Sequence, residues 1–430
     1  MEIHVVKKGE TPYSIAKQYG ISVQRLIYDN QIENPNHLVV GQALLILIPK
    51  QVHVVRQGET VQNIAGQYGV RVIDIIRNNP FLLNYQSPPP GEAIVISYKG
   101  MENRPTIQIG GYAYPFINSY LLRETLPYLS RLIVFSYGFD GQGSLNPIND
   151  EYLIRQAKAY GVSPILALTS LNENEEFDTR RIHLVASDQE ARKQLIDDLV
   201  DITLQKGYAG VDVDFEYISV EDKEGVLEFL EELTTAMNEI GKSVSAAAAT
   251  KTSATQRGIL YEGVDYRRLG EIANSVLLMT YEWGYAYGPP MAVAPLDKVD
   301  QTLQYGLSEI PASKLCLGIP NYGYDWPLPY ERGNTRATTI GNIQAIDIAA
   351  RNNGEILYDD TAQSPYFGYW KDGIEQVVWF EDVRSIQKKL QLVIENQLLG
   401  ATYWNLMRYF RPNWLLLHSM AEIARPQLPE

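Results

Sequence analysis

The chain predicts an α/β fold: a (β/α)8 TIM barrel with a small α+β insertion after its seventh strand, preceded by two small α+β modules of βααβ order. Three observations predict it. The first 98 residues repeat themselves at an offset of 49. From about residue 99, eight short apolar runs alternate with amphipathic helical patterns, the signature of a parallel barrel. Between the seventh and eighth runs lie about 76 residues, where one loop and one helix would suffice.

The repeat is read directly. IHVVKKGETPYSIAKQYGI (3–21) matches VHVVRQGETVQNIAGQYGV (52–70), and LIYDN (26–30) matches IIRNN (75–79). VGQALLILIP (40–49) matches PGEAIVIS (90–97) after a slip of one residue. Each unit reads as a strand, a Gly-Glu-Thr turn, an amphipathic helix, a second helix and a closing strand. Thr11 and Thr60 stand where a cap starts the first helix. The two units, 1–49 and 50–98, resemble LysM modules. That resemblance implies binding of glycans containing N-acetylglucosamine, with Gly9, Glu10, Thr11 and Gly58, Glu59, Thr60 on the loop bordering the groove. Spacers or protein-contact modules are the alternative use of such units.

The third unit, 99–430, begins after the proline-rich QSPPPGEA. Its predicted strands are 106–112, 131–138, 163–170, 209–216, 243–250, 275–282, 314–323 and 400–406. Residues 188–206 and 222–240 carry helical amphipathicity between them. The insertion, about 327–385, contains a predicted antiparallel meander at 354–382 with Gly and Asp turns, followed by a helix at 383–397.

The fourth run holds the unusual chemistry. In VDVDFE, alternate side chains of a strand face opposite ways, so Asp212, Asp214 and Glu216 share one face and Val211, Val213 and Phe215 the other. Neighbouring acids stand about 6.5–7 Å apart, and their repulsion costs stability unless something uses it. Barrel strands deliver their C-terminal ends to the face that carries active sites. Other strand ends bring Tyr281-Glu282-Trp283, Pro320-Asn321-Tyr322 and Tyr403-Trp404-Asn405. Acids ringed by aromatics suit a sugar, whose pyranose face stacks on rings while carboxyls handle the glycosidic oxygen. Tyr112, Phe135 and Tyr137 either line this site or pack in the core.

AGVDVDFE resembles the DGxDxDxE signature of glycoside hydrolase family 18, the chitinase-like family. MTYEWGY (279–285), LGIPNYGYDW (317–326) and TYWNL (402–406) resemble the family's motifs on strands six, seven and eight. The resemblance implies a retaining, substrate-assisted hydrolysis with Glu216 as acid and base. Asp214 would orient the substrate's acetamide, Asp212 would share a proton with it, and Tyr281 would hydrogen-bond the acetamide carbonyl. Trp404 would form the floor, with Tyr322, Glu282, Asn321 and Tyr112 around the sugar. Two LysM modules before such a barrel resemble germination-associated N-acetylglucosaminidases of spore-forming bacteria. That implies peptidoglycan of the spore cortex as substrate and a location in the spore coat or cortex. A chitinase and an inactive glycan-binding lectin are the alternatives. The chain departs from the pattern at Ala209 for Asp, at Glu282 for Asp, and in strand three, LALTSL. Position 209 is odd-numbered, so in a regular strand its side chain should point away from the acid column.

Composition narrows the partners. The net charge of −14 argues against nucleic acid and anionic membrane surfaces. One cysteine excludes an internal disulfide, and the five histidines show no zinc-like spacing, so no metal or other cofactor is expected. No apolar run reaches the roughly 18–20 residues of a membrane span. MEIHVVKKGETPYS carries no apolar segment after a basic start, so no signal peptide is expected. No protein partner is implied.

Overall fold

Near-continuous apolar runs suit strands buried on both faces, and eight of them close on themselves in the computed structural model, which describes residues 1–85, 87–172 and 176–425. Gln86, at the head of the proline-rich stretch, lies outside the described residues. The barrel strands are β1 (Thr106–Ala113), β2 (Arg131–Tyr137), β3 (Ser163–Thr169), β4 (Gly210–Asp214), β5 (Ser243–Ala248), β6 (Ser275–Leu278), β7 (Leu315–Pro320) and β8 (Gly400–Trp404). Each pairs in parallel with the next, and β8 closes on β1 with Gly400 opposite Gln108. Helices Gln189–Lys206 and Lys223–Glu239 flank β4 in sequence, and Asp188 caps the first through its side chain.

The alternation in β4 resolves into two cores. Val211, Val213 and Phe215 join the large cluster between strands and helices. Tyr112, Ile133, Phe135, Ile165, Ala167, Leu277 and Cys316 fill the barrel interior, where Asp212 and Asp214 also point. Ala209 departs from the parity expectation. The strand begins only at Gly210, and Ala209 packs against the interior cluster rather than away from it. Parity cannot be extended past the first strand residue, where the chain is still turning in from the preceding helix.

After Pro320 the chain leaves the barrel. Asn321 N–H donates to the Trp404 carbonyl at 2.9 Å, the last tie between β7 and the end of β8. The sequence placed Gly323 at the end of strand seven; it opens the inserted sheet instead. That sheet has five antiparallel strands in the order 338–340, 323–327, 374–379, 364–371, 357–359. A helix absent from the sequence reading, Asn342–Arg351, packs Ala345 and Ala349 against Phe367, Val378 and Phe380. Helix Val383–Glu395 then leads back to β8.

The two N-terminal modules fold as predicted. In the first, strands Glu2–Val5 and Ala43–Ile46 pair antiparallel around helices Pro12–Tyr19 and Val23–Asp29. In the second, Pro49–Val54 pairs with Ala93–Tyr98 around Val61–Tyr68 and Val72–Asn78. Both are docked on the barrel. Leu44 and Ile46 fill the first module's own core, while Leu45 and Leu47 join the large barrel cluster. Val95 and Tyr98 of the second module do the same. Gly41, at φ +85°, lies so close to the insertion that an added Cβ would fall 1.8 Å from the Ile356 carbonyl oxygen. The Arg411 guanidinium lies 4.0 Å over the Tyr28 ring and donates to the Tyr28 carbonyl at 2.9 Å. Among the described residues no helix is long and apolar enough to cross a membrane.

Candidate active site

The three acids of β4 lie at increasing height in the barrel. Asp212 is the deepest, 1% exposed. Tyr112 Oη donates to its Oδ2 at 2.7 Å, and Ser245 Oγ donates to Oδ1. Burial pushes Asp212 above the usual carboxylate range, while these two donors and the Arg131 charge pull it back. Asp214 is also buried, and its Oδ1 has no hydrogen-bond partner among the described residues. Burial, then the charges of Glu216 and Asp212, hold Asp214 well above the usual range. Glu216 lies just beyond the strand end and is half-buried. Burial, then the Glu282 charge, raises it to about 7. A carboxylic acid that keeps its proton near neutrality is what a general acid requires.

Tyr281 faces this column from the end of β6, and Asp214 and Glu216 act on its hydroxyl after burial does. Its ring crosses Gly318 of β7, where an added Cβ would come within 2.7 Å of Tyr281 Cε1. Trp404 ends β8, half-buried, with ring centroids of Phe135 at 4.9 Å, Tyr112 at 5.3 Å and Tyr114 at 6.4 Å. Glu282 sits in the left-handed region at φ +64°. The residue is exposed, yet its carboxylate lies against two buried phenols: Tyr322 Oη donates to Oε1, and Tyr324 Oη reaches Oε1 at 3.0 Å and Oε2 at 3.2 Å.

Asp212, Asp214, Glu216, Tyr281, Glu282, Tyr322 and Trp404 therefore converge on one mouth. Tyr112 and Asn321 belong to its support. Tyr112 is 2% exposed with its hydroxyl on Asp212, and Asn321 Nδ2 donates to the carbonyls of Arg408 at 2.6 Å and Asn405 at 3.2 Å. Ser245 and Tyr324 are site residues that the sequence reading missed. Ser245 sits in a bland small-residue strand, SVSAAAAT. Tyr324 was legible as the second member of Tyr322-Gly323-Tyr324, one strand period on.

The module loops use their side chains internally. Glu10 Oε2 accepts from Lys7 N–H at 2.7 Å and lies 2.8 Å from His4 Nε2, and Thr11 Oγ1 accepts from Ser14 N–H at 3.1 Å. Glu59 and Thr60 repeat this with Arg56, His53 and Asn63. Gly9 and Gly58 take the turn at φ +86° and +83°. These six residues shape the loop and cap its helix.

Comparison with known proteins agrees with this architecture. The model of the family "Glycosyl hydrolases family 18" matches residues 115–408, and that of the LysM domain matches 4–47 and 53–97. The chain is 39% identical to the cortical fragment-lytic enzyme of Bacillus subtilis (strain 168), over 99% of each chain. It is 33% identical to the protein of that name from Bacillus anthracis, over 97% of each. Among solved structures, the spore cortex-lytic enzyme SleL of Bacillus megaterium QM B1551 superposes with a TM-score of 0.83 at 34% identity, covering 99% of both chains. With the acid column in its barrel and two LysM domains ahead of it, the chain is a glycoside hydrolase and belongs to glycosyl hydrolases family 18.

Proposed function

We propose that this chain is an N-acetylglucosaminidase that cleaves spore-cortex peptidoglycan fragments during germination, with retention of configuration and with the substrate's own acetamide as nucleophile. The observation that carries the reading is Glu216: a half-buried carboxyl at the barrel mouth, raised to about 7, above the buried Asp214. Glu216 protonates the departing glycosidic oxygen. The acetamide carbonyl attacks the anomeric carbon, forming an oxazolinium ion, and the C–O bond to the leaving sugar breaks. Asp214 orients the acetamide N–H and steadies the positive charge that develops there. Tyr281 donates to the acetamide carbonyl, and Trp404 carries the sugar's apolar face. Glu216, now deprotonated, takes a proton from the water that opens the ring.

The names of the relatives support the substrate and the spore location, since two are called cortical fragment-lytic enzymes. The LysM domains support a glycan partner. The test is incubation with purified cortex fragments, followed by product analysis and NMR of the first-formed anomer. Fragments ending in N-acetylglucosamine with β configuration are expected. Glu216→Gln should lose about 10²–10⁴-fold in kcat while still binding glycan. Near-wild-type turnover by that variant, or an inverted product, would overturn the reading.

A further inference from the structure

Among the described residues, Glu282 is held by phenols, not by a cation. Tyr324 touches both its carboxylate oxygens, and Tyr322 touches one. Tyr324 is itself fixed. It is buried, its centroid lies 5.4 Å from Trp326 and 5.6 Å from Tyr322, and its backbone pairs with Trp379 and Thr339. Trp326 is anchored in turn by Nε1 donating to the Gly288 carbonyl at 3.0 Å. Burial raises Glu282 above the usual carboxylate range and the two phenols pull it back, so these neutral donors favour its ionised form without cancelling its charge. That charge acts on Glu216, where it is the largest influence after burial.

We propose that Tyr324, carried into the mouth by the first strand of the insertion, is a positioning residue that holds Glu282 as an anion beside Glu216 and so sets the pH at which the acid gives up its proton. The proposal rests on Glu216 being the acid. The groups that face this pair are Asp214 from β4, Tyr217 just past Glu216, Tyr281 from the end of β6, and Tyr322; Asp212 acts on Asp214 and Tyr285 on Tyr217. Arg408 faces Tyr324 from the loop after β8. The insertion thereby does more than wall the cleft: its inner strand holds a charge that acts on the catalytic acid.

The experiment is the pH profile of kcat/KM for the full chain and three variants, Tyr324→Phe, Glu282→Gln and the double variant, with melting curves as a folding control. The basic limb reports loss of the proton from Glu216. Glu282→Gln should move that limb to lower pH by roughly one unit. Tyr324→Phe, which frees the Glu282 carboxylate to turn outward, should move it the same way by a fraction of that. In the double variant, Tyr324→Phe should add nothing to Glu282→Gln. An unmoved limb in either single variant, or additive shifts in the double variant, would overturn the proposal. Glu282→Gln alters a solvent-exposed residue, so it remains informative if Tyr324→Phe folds poorly. Full activity in Glu216→Gln would instead refute the acid assignment itself, a separate outcome.

Discussion

Glu216→Gln should stabilise the protein above neutral pH while it sharply lowers turnover. Glu216 has an ordinary value of 4.5 and a folded value of about 7. Between those values the folded chain holds a proton that the unfolded chain has released. Stability therefore falls as pH rises through this window, and the loss is complete above the folded value. The shift of about 2.5 units corresponds to about 3 kcal/mol at 1.36 kcal/mol per unit. Gln carries no charge and escapes that loss. A chain of 430 residues unfolding as one unit has an unfolding entropy of about 0.9 kcal/mol per kelvin, so the gain is about 3 °C in Tm. The assay is a series of melts of both proteins from pH 4 to pH 8.5. The difference should be near zero at pH 4, grow through pH 5–7 and level off by pH 8. A difference that is the same at every pH would refute the reasoning, because packing differences between Glu and Gln do not titrate.

Asp214→Asn should lower kcat by about 10²–10³-fold with little change in KM, since it removes a charge needed only as the acetamide becomes cationic; steady-state kinetics on cortex fragments will read it. Gly318→Ala places a Cβ 2.7 Å from both Tyr281 Cε1 and the Leu278 carbonyl oxygen, so the ring must move; kcat should fall roughly 10-fold or more, measured the same way. Lys389→Met strands Glu381 in the core, where the pair sits at 2.8 Å with neither side chain exposed. Denaturant unfolding should show a loss of about 3–5 kcal/mol.

The acid column and its aromatic ring could be read from residue order because strand parity and strand ends are local properties. Asp212, Asp214 and Glu216 needed only the two-residue period, and Trp404 only its place at the end of β8. What stayed hidden depends on contacts between distant segments. Tyr112 reads as a sugar-facing ring until the fold sets it under Asp212, 100 positions away. The internal work of the module loops was equally hidden: Glu10 and Glu59 bind their own histidines and backbone. The docking of the modules did leave a trace. ALLILIP has no polar face, and such a strand must be covered on both sides. Ala209 shows the limit of the parity argument, which fails one residue before the strand starts.

The buried faces of Leu45, Leu47, Val95 and Tyr98 change how binding and cleavage combine in this enzyme. Modules on a slack linker raise the local concentration of substrate over a broad range of distances, with an efficiency set by linker length. Here both modules are packed on the barrel, so linker length does not set the distance. A glycan strand held by a module and the mouth at once would have to fit one fixed span, as a workpiece fits a jig. Lengthening the loop around Gly41 would not retune that reach; it would drive that loop into the insertion at Ile356. With glycan held at both places, selectivity would be a matter of polymer geometry as well as of the sugar at the catalytic acid.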